Sequence, residues 1–179
     1  SLIYNWQAEA RKFVPDMNVM VVAGLPKDRQ ELLKDVTGAD MVVTSYPLIR
    51  RDIDLYRGMK FSYCFLDEAQ HIKNPDSINA KSVKILKAKG FFALTGTPIE
   101  NSLTELWSIF DFILPGYLLS HGKFVKKYEK PIIREKDEKA LRELGKQIKP
   151  FVLRRMKKEV LKELPEKIES KMVCQLDIA

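Results

Sequence analysis

The sequence predicts an α/β domain with a mostly parallel sheet and helices on both faces, extended on its C-terminal side by a helical protrusion. Three observations carry that expectation. Short apolar runs, continuous rather than alternating, recur at 18–24 (NVMVVAG), 40–46 (DMVVTSY), 61–67 (FSYCFLD) and 91–97 (FFALTGT), as strands buried on both faces do. Helical patterns lie between them, which calls for parallel pairing and right-handed crossovers. After Pro98 the apolar runs give way to long charged helical stretches.

Each element has a local reason. The opening LIYNWQAEARKFV is a helix candidate, and PKDRQELLKDV (26–36) sets Leu32, Leu33 and Val36 on one face behind Pro26 at its first turn. DSINAKSVKILKAKG (76–90) has an acidic cap, apolar Ile78, Val83, Ile85 and Leu86, and Gly90 as its stop. NSLTELWSIFDFILPGYL starts from a cap at Asn101 and runs helically to Pro115. Helices follow over 121–130 and 136–149. A basic amphipathic segment, PFVLRRMKKEVLKELPEKIE, then leads to a last strand-like run, SKMVCQLDI.

Composition narrows the function. Of the 31 basic and 24 acidic side chains, residues 1–120 carry 14 of each, so the net +7 lies wholly in residues 121–179. A polyanion bound near the C-terminal third and a merely solvated helical face both account for that charge. No apolar run reaches the roughly 18 residues of a membrane span. Cys64 and Cys174 each sit in an apolar run and read as small core residues, which suits a reducing, intracellular compartment. The two histidines and two cysteines are not spaced as a zinc site.

Open parallel sheets place chemistry beyond the carboxyl ends of their strands. Polar endings fall there: TSY (44–46), DEAQ (67–70) and TGTP (95–98). Adjacent Asp67 and Glu68 cannot flank a sugar across a gap. They suit a division of labour in which one carboxylate holds Mg²⁺ through water and the other polarises the attacking water.

LDEAQHIKNP resembles motif II of the superfamily-two helicase-like ATPases, in the spelling of the SWI/SNF-type double-stranded DNA translocases. FFALTGTPIEN is similar to their motif III, NWQAEARKF to motif Ia, and MVVTSYPLIRRDI to the motif Ib region. ELWSIFDFILPGYL resembles the stretch after motif III, and PFVLRRMKKEVLKELPEKIE the way out of the first lobe. The resemblance implies a partial first RecA-like lobe over 1–115, a helical protrusion and basic linker over 116–165, and a strand-like segment over 166–179 leading toward a second lobe. It implies that Asp67 coordinates Mg²⁺ and that Glu68 is the general base for ATP hydrolysis. Gln70, standing where many relatives carry His, would couple the nucleotide site to its neighbour motif, and Thr95 and Thr97 would link hydrolysis to lobe movement. Asn5, Trp6, Thr44, Ser45 and Tyr46 would lie near a DNA-tracking face, with Lys126, Lys127, Arg154 and Arg155 as further nucleic-acid contacts. Packing alone assigns Trp6 to the core and His71 to the surface.

The sequence departs from that family at one motif. No G-x-x-x-x-G-K-[ST] phosphate loop occurs; GYLLSHGKF (116–124) has one residue too many between its glycines and Phe124 where the hydroxyl belongs. The loop would precede Ser1, and the second lobe with its arginine fingers would follow residue 179, so the chain reads as a fragment. ATP and Mg²⁺ are then cofactors of the parent chain, with none expected on the fragment, which would not turn over ATP and could self-associate through an uncovered strand. The partners implied are double-stranded DNA, held by phosphate contacts, and the second lobe. The setting is intracellular, either cytoplasm and nucleoid, as the DEAQ spelling favours, or a nucleus. A non-enzymatic nucleic-acid or protein-binding module, and the motor portion of a restriction system, are the competing readings.

Overall fold

The computed structural model describes residues 2–155. In chain order the elements are α1 (Leu2–Phe13), β1 (Val19–Val21), α2 (Pro26–Lys34), β2 (Met41–Val43), α3 (Tyr46–Tyr56), β3 (Lys60–Leu66), α4 (Ile78–Val83), β4 (Lys87–Ala93), α5 (Leu103–Ile113), α6 (His121–Phe124), α7 (Lys130–Arg134) and α8 (Glu138–Ile148). A π-helical stretch, Val125–Glu129, joins α6 to α7. The α/β class and the parallel pairing agree with the sequence. The strand-like run 170–178 and the segment from residue 156 lie outside the described residues.

The expected single sheet is realised as two parallel pairs, β1 with β2 and β3 with β4. No ladder joins the pairs among the described residues. One apolar cluster does so instead, with Val22, Leu33, Ile49 and Tyr56 from the first half and Leu66, Ala69, Ile72, Val83, Ile109 and Phe112 from the second. Arg29 pins α2 to α3: its guanidinium grips both carboxylate oxygens of Asp52, at 2.5 and 2.9 Å, and donates to the Gly24 carbonyl at 2.6 Å. Asp52 is also where α3 departs from helical dihedrals (φ −108°, ψ 15°).

Two expectations need correction. The helix over 76–90 stops at Val83, and Gly90 lies inside β4 rather than closing a helix. Pairing decides this, because Lys87 enters the ladder opposite Lys60 and Gly90 falls opposite Tyr63. A Cβ on Gly90 would stand 2.9 Å from the Tyr63 ring, so only glycine leaves that ring its place. Ile78, counted in the apolar face, is exposed. The strands are also not buried on both faces. Cys64, Leu66, Phe91 and Ala93 pack into the core. Tyr63, Phe65 and Phe92 turn the other way and remain 62%, 61% and 47% exposed, with Phe65 stacked on Phe92 at 4.7 Å.

Helix α5 belongs to two cores. Ile109 and Phe112 enter the α/β cluster, and Phe91 meets Phe112 edge-on at 5.0 Å. Leu106, Trp107 and Phe110 enter a second cluster with Leu118, Phe124, Tyr128, Ala140 and Leu144 of the helical part. The Thr104 hydroxyl donates to Glu129 at 2.6 Å and lies 3.0 Å from the His121 ring, and the Trp107 indole donates to the Leu119 carbonyl at 3.1 Å.

Truncating Phe112 to Ala should cost about 3–5 kcal/mol, as for a well-packed core aromatic. Phe65→Thr, on the open face, should stay within about 1 kcal/mol. Urea unfolding of the two variants distinguishes them, and equal losses would contradict this assignment of faces.

Candidate nucleotide-hydrolysis site

Two backbone hydrogen bonds continue past the last rung of the β3–β4 ladder. The Leu94 N–H donates to the Leu66 carbonyl and the Ala69 N–H to the Leu94 carbonyl, both at 2.8 Å. They hold residues 66–69 against residues 94–95 and so bring the DEAQ and TGTP endings together. Between them Glu68 adopts φ 49°, ψ 50°, left-handed backbone that non-glycine residues rarely take.

The side chains then form a line. Gln70 donates its amide N–H to Glu68 Oε2 at 2.7 Å and accepts from the Thr95 hydroxyl at 2.7 Å. Thr95 Oγ1 in turn accepts the Thr97 N–H at 3.1 Å. A carboxylate can only accept, so the Gln70 amide has one workable orientation, nitrogen toward Glu68 and oxygen toward Thr95. Asp67 stands beside this line. Its Oδ1 accepts the Glu68 N–H and its Oδ2 the Trp6 indole N–H, each at 2.9 Å, while its carbonyl accepts the Tyr46 hydroxyl at 2.9 Å.

The expected site residues separate into two groups. Asp67, Glu68, Gln70, Thr95 and Thr97 form one cluster, and Tyr46 joins it. The Tyr46 ring lies 4.9 Å from His71, and burial, then the Asp67 charge, pushes its phenol well above the ordinary value. Thr44 donates to the Val22 carbonyl at 3.1 Å, bridging the ends of the first strand pair. Ser45 stands at the N-cap of α3 without a side-chain cap bond. Lys126, Lys127, Arg154 and Arg155 lie on or beyond the helical part and are exposed. Lys127 is paired with Glu143 at 2.7 Å, and that carboxylate first, then Tyr128, raises its ammonium to about 12. His71 is exposed, as expected. Trp6 is a correction: it is 37% exposed, and its indole serves Asp67 rather than the core.

Two further polar residues support the cluster from α5. Ser108, fully buried, donates to the Ile72 carbonyl at 2.6 Å and so anchors the turn after the DEAQ segment. Glu105, also buried, accepts the backbone N–H groups of Glu100 and Asn101 at 2.7 and 3.2 Å and the Asn101 amide at 3.3 Å. Lys73 bonds to Glu100 and lies 3.6 Å from Glu105. Asn101 is therefore held rather than capping; the N-cap of α5 is Ser102. The S-x-x-E spacing of Ser102 and Glu105 is the sequence signal that an acid here reaches back to free N–H groups.

No group of three His, Cys, Asp or Glu side chains able to hold a metal occurs among the described residues. Mg²⁺ does not require one. It keeps most of its waters and is commonly bound through one or two carboxylates plus substrate phosphates. Asp67 fits that role, since two N–H donors fix its carboxylate and still leave lone pairs for a hydrated ion.

Known proteins resemble this chain in sequence and in fold. A family model described as the SNF2-related domain matches residues 1–179. The chain belongs to the SNF2-related domain family. This SNF2-related chain is 40% identical over 187 residues to the TATA-binding protein-associated factor MOT1 of Saccharomyces cerevisiae, covering 98% of this chain and 10% of that protein. It is 41% identical over 177 residues to an uncharacterized ATP-dependent helicase of Mycoplasma pneumoniae, covering 99% and 17%. Among solved structures, the Sulfolobus solfataricus SWI2/SNF2 ATPase core in complex with dsDNA superposes with TM-score 0.79 at 39% identity, covering 92% of this chain and 34% of that one. The chain thus spans a small part of these curated relatives and about a third of the solved ATPase core. The fold is that of part of a RecA-like SWI2/SNF2 ATPase core.

Glu105 gives a pH test. Burial alone would raise its carboxyl, but the N–H groups of Glu100 and Asn101 outweigh it and hold the group below the usual carboxylate value. A depressed carboxylate contributes stability above its ordinary value and loses it as pH falls through the folded value. Glu105→Gln should therefore lower Tm at pH 7 and reduce the further drop between about pH 5 and pH 3. Thermal unfolding across that range checks it; a parallel shift at every pH would contradict the assignment.

Proposed function

We propose that this chain is part of the first lobe of an ATP-driven motor that tracks double-stranded DNA. The observation that carries the reading is the unbroken line Glu68–Gln70–Thr95–Thr97 beside Asp67. It joins the carboxylate pair to the next strand end through one amide that can point only one way.

In this reading Asp67 is the residue that would hold Mg²⁺. When bound, that ion draws charge from the phosphates of ATP. Glu68 takes the proton of the attacking water on its free oxygen, the other being fixed by Gln70. A shift of Glu68 on proton uptake pulls on Gln70 and then Thr95, so the state of the acid is passed to the loop 95–98. Glu105 and Lys73 keep the segment after that loop, Glu100 and Asn101, on α5. Thr44 and Ser45 sit at the carboxyl ends of the strands, where a phosphate backbone would pass. The basic helical part adds Lys126, Lys127, Arg154 and Arg155, contacts that position a duplex without reading its sequence. Support for the duplex comes from the solved Sulfolobus solfataricus ATPase core, which is in complex with dsDNA. The setting is intracellular. The chain by itself neither binds ATP tightly nor hydrolyses it, because its sequence carries no phosphate loop; the parent chain does both. The same reading includes self-association through an uncovered strand edge.

ATP hydrolysis by the parent chain, with and without duplex, is the test. Duplex-stimulated turnover should fall by a factor of roughly 10²–10⁴ in Glu68→Gln, as for loss of a general base. Turnover indifferent to Glu68 would leave the binding-module reading. Neutralising Lys126 and Arg154 together should weaken duplex binding about equally for all sequences and lower the salt slope by roughly 1 per lost phosphate contact. A sequence-dependent loss would argue against backbone tracking.

A further inference from the structure

Resting on the motor reading, we propose that Trp6 is a positioning residue for Asp67, its indole N–H fixing the direction in which the metal-side carboxylate points. The two residues are 61 apart in the chain and meet at 2.9 Å, so the bond is a product of the fold rather than of local sequence.

Packing does not explain the ring. None of the residues of α1 is fully buried, and Trp6 itself is 37% exposed. An indole offers one N–H and no acceptor, and it does not titrate in the working range. Its bond to a carboxylate is therefore one-directional. The other tie on the Asp67 side chain, from the Glu68 N–H, comes from the adjoining residue and moves with it. Trp6 supplies an outside reference. Helix α1 packs against β1 and β2, whereas Asp67 follows β3, so the bond spans the two strand pairs that no ladder joins among the described residues. Tyr46 makes the matching bond to the Asp67 backbone, also from the β2 side. One contact fixes the main chain and the other fixes the carboxylate. Groups that orient a metal-holding side chain in this way commonly alter metal affinity by 10–100-fold when removed.

The test uses the parent chain and Trp6→Phe, which keeps an aromatic ring and deletes the donor, with Trp6→His as a variant that restores a ring N–H. Affinity for Mn²⁺ in the presence of ADP, read by electron paramagnetic resonance, should weaken roughly tenfold in Trp6→Phe and recover in part in Trp6→His. The Mg²⁺ concentration for half-maximal ATP hydrolysis should rise by the same factor, while the rate at saturating Mg²⁺ stays within about twofold. Metal affinity unchanged in Trp6→Phe, in a parent whose hydrolysis depends on Glu68, overturns the role of Trp6 and leaves the motor reading standing. Hydrolysis that does not depend on Glu68 overturns both. If Trp6→Phe does not fold, Trp6→Met, which fills the space without an N–H donor, takes its place: Mn²⁺ binding should weaken to the same extent, and wild-type affinity in it would overturn the proposal.

Discussion

Everything at this site depends on the two backbone bonds that run past the end of the β3–β4 ladder, Leu94 to Leu66 and Ala69 to Leu94. Parallel strands part company where their ladder stops, and side chains beyond that point are normally free to diverge. Here the extra bonds keep both chains in register for a further turn. As a result Gln70 can touch Glu68 on its own segment and Thr95 on the next. The left-handed Glu68 is tolerated in the same frame, because the residues on both sides of it are already fixed.

A second layer keeps that frame rigid. Ser108 and Glu105 both reach from α5, one to the turn that follows the acids and the other to the segment that follows the threonines. A single helix therefore holds both lips of the site. Arg29 and Asp52 do comparable work at the far side, locking α2 to α3 beneath the strand end that carries Thr44.

Much of this was legible in the sequence. Apolar runs ending in polar residues located Asp67, Glu68, Thr95 and Thr97, because strand ends and strand cores obey different chemistry. The rest required the fold. α3 is absent from the linear reading, which treats 44–46 only as a strand ending; Pro47 suits a first helical turn, and Ser45 before it with Ile49, Ile53 and Tyr56 after it are the signal. The overlong helix at 76–90 failed for another reason. Ile85 and Leu86 continue a helical pattern, and only pairing with β3 converts the next residues to strand. Trp6 was assigned to the core because tryptophan usually belongs there, and no spacing within α1 could reveal an acceptor 61 residues away. Lys127 looked like a free cation until the fold supplied Glu143.

The sharing of α5 between two apolar clusters has a thermodynamic side. Neither cluster can dissolve without stripping one face from that helix, and an 11-residue helix with one face bare is marginal in water. The α/β part and the helical part therefore melt as one cooperative unit, and amide protons on either side of α5 exchange through the same global opening.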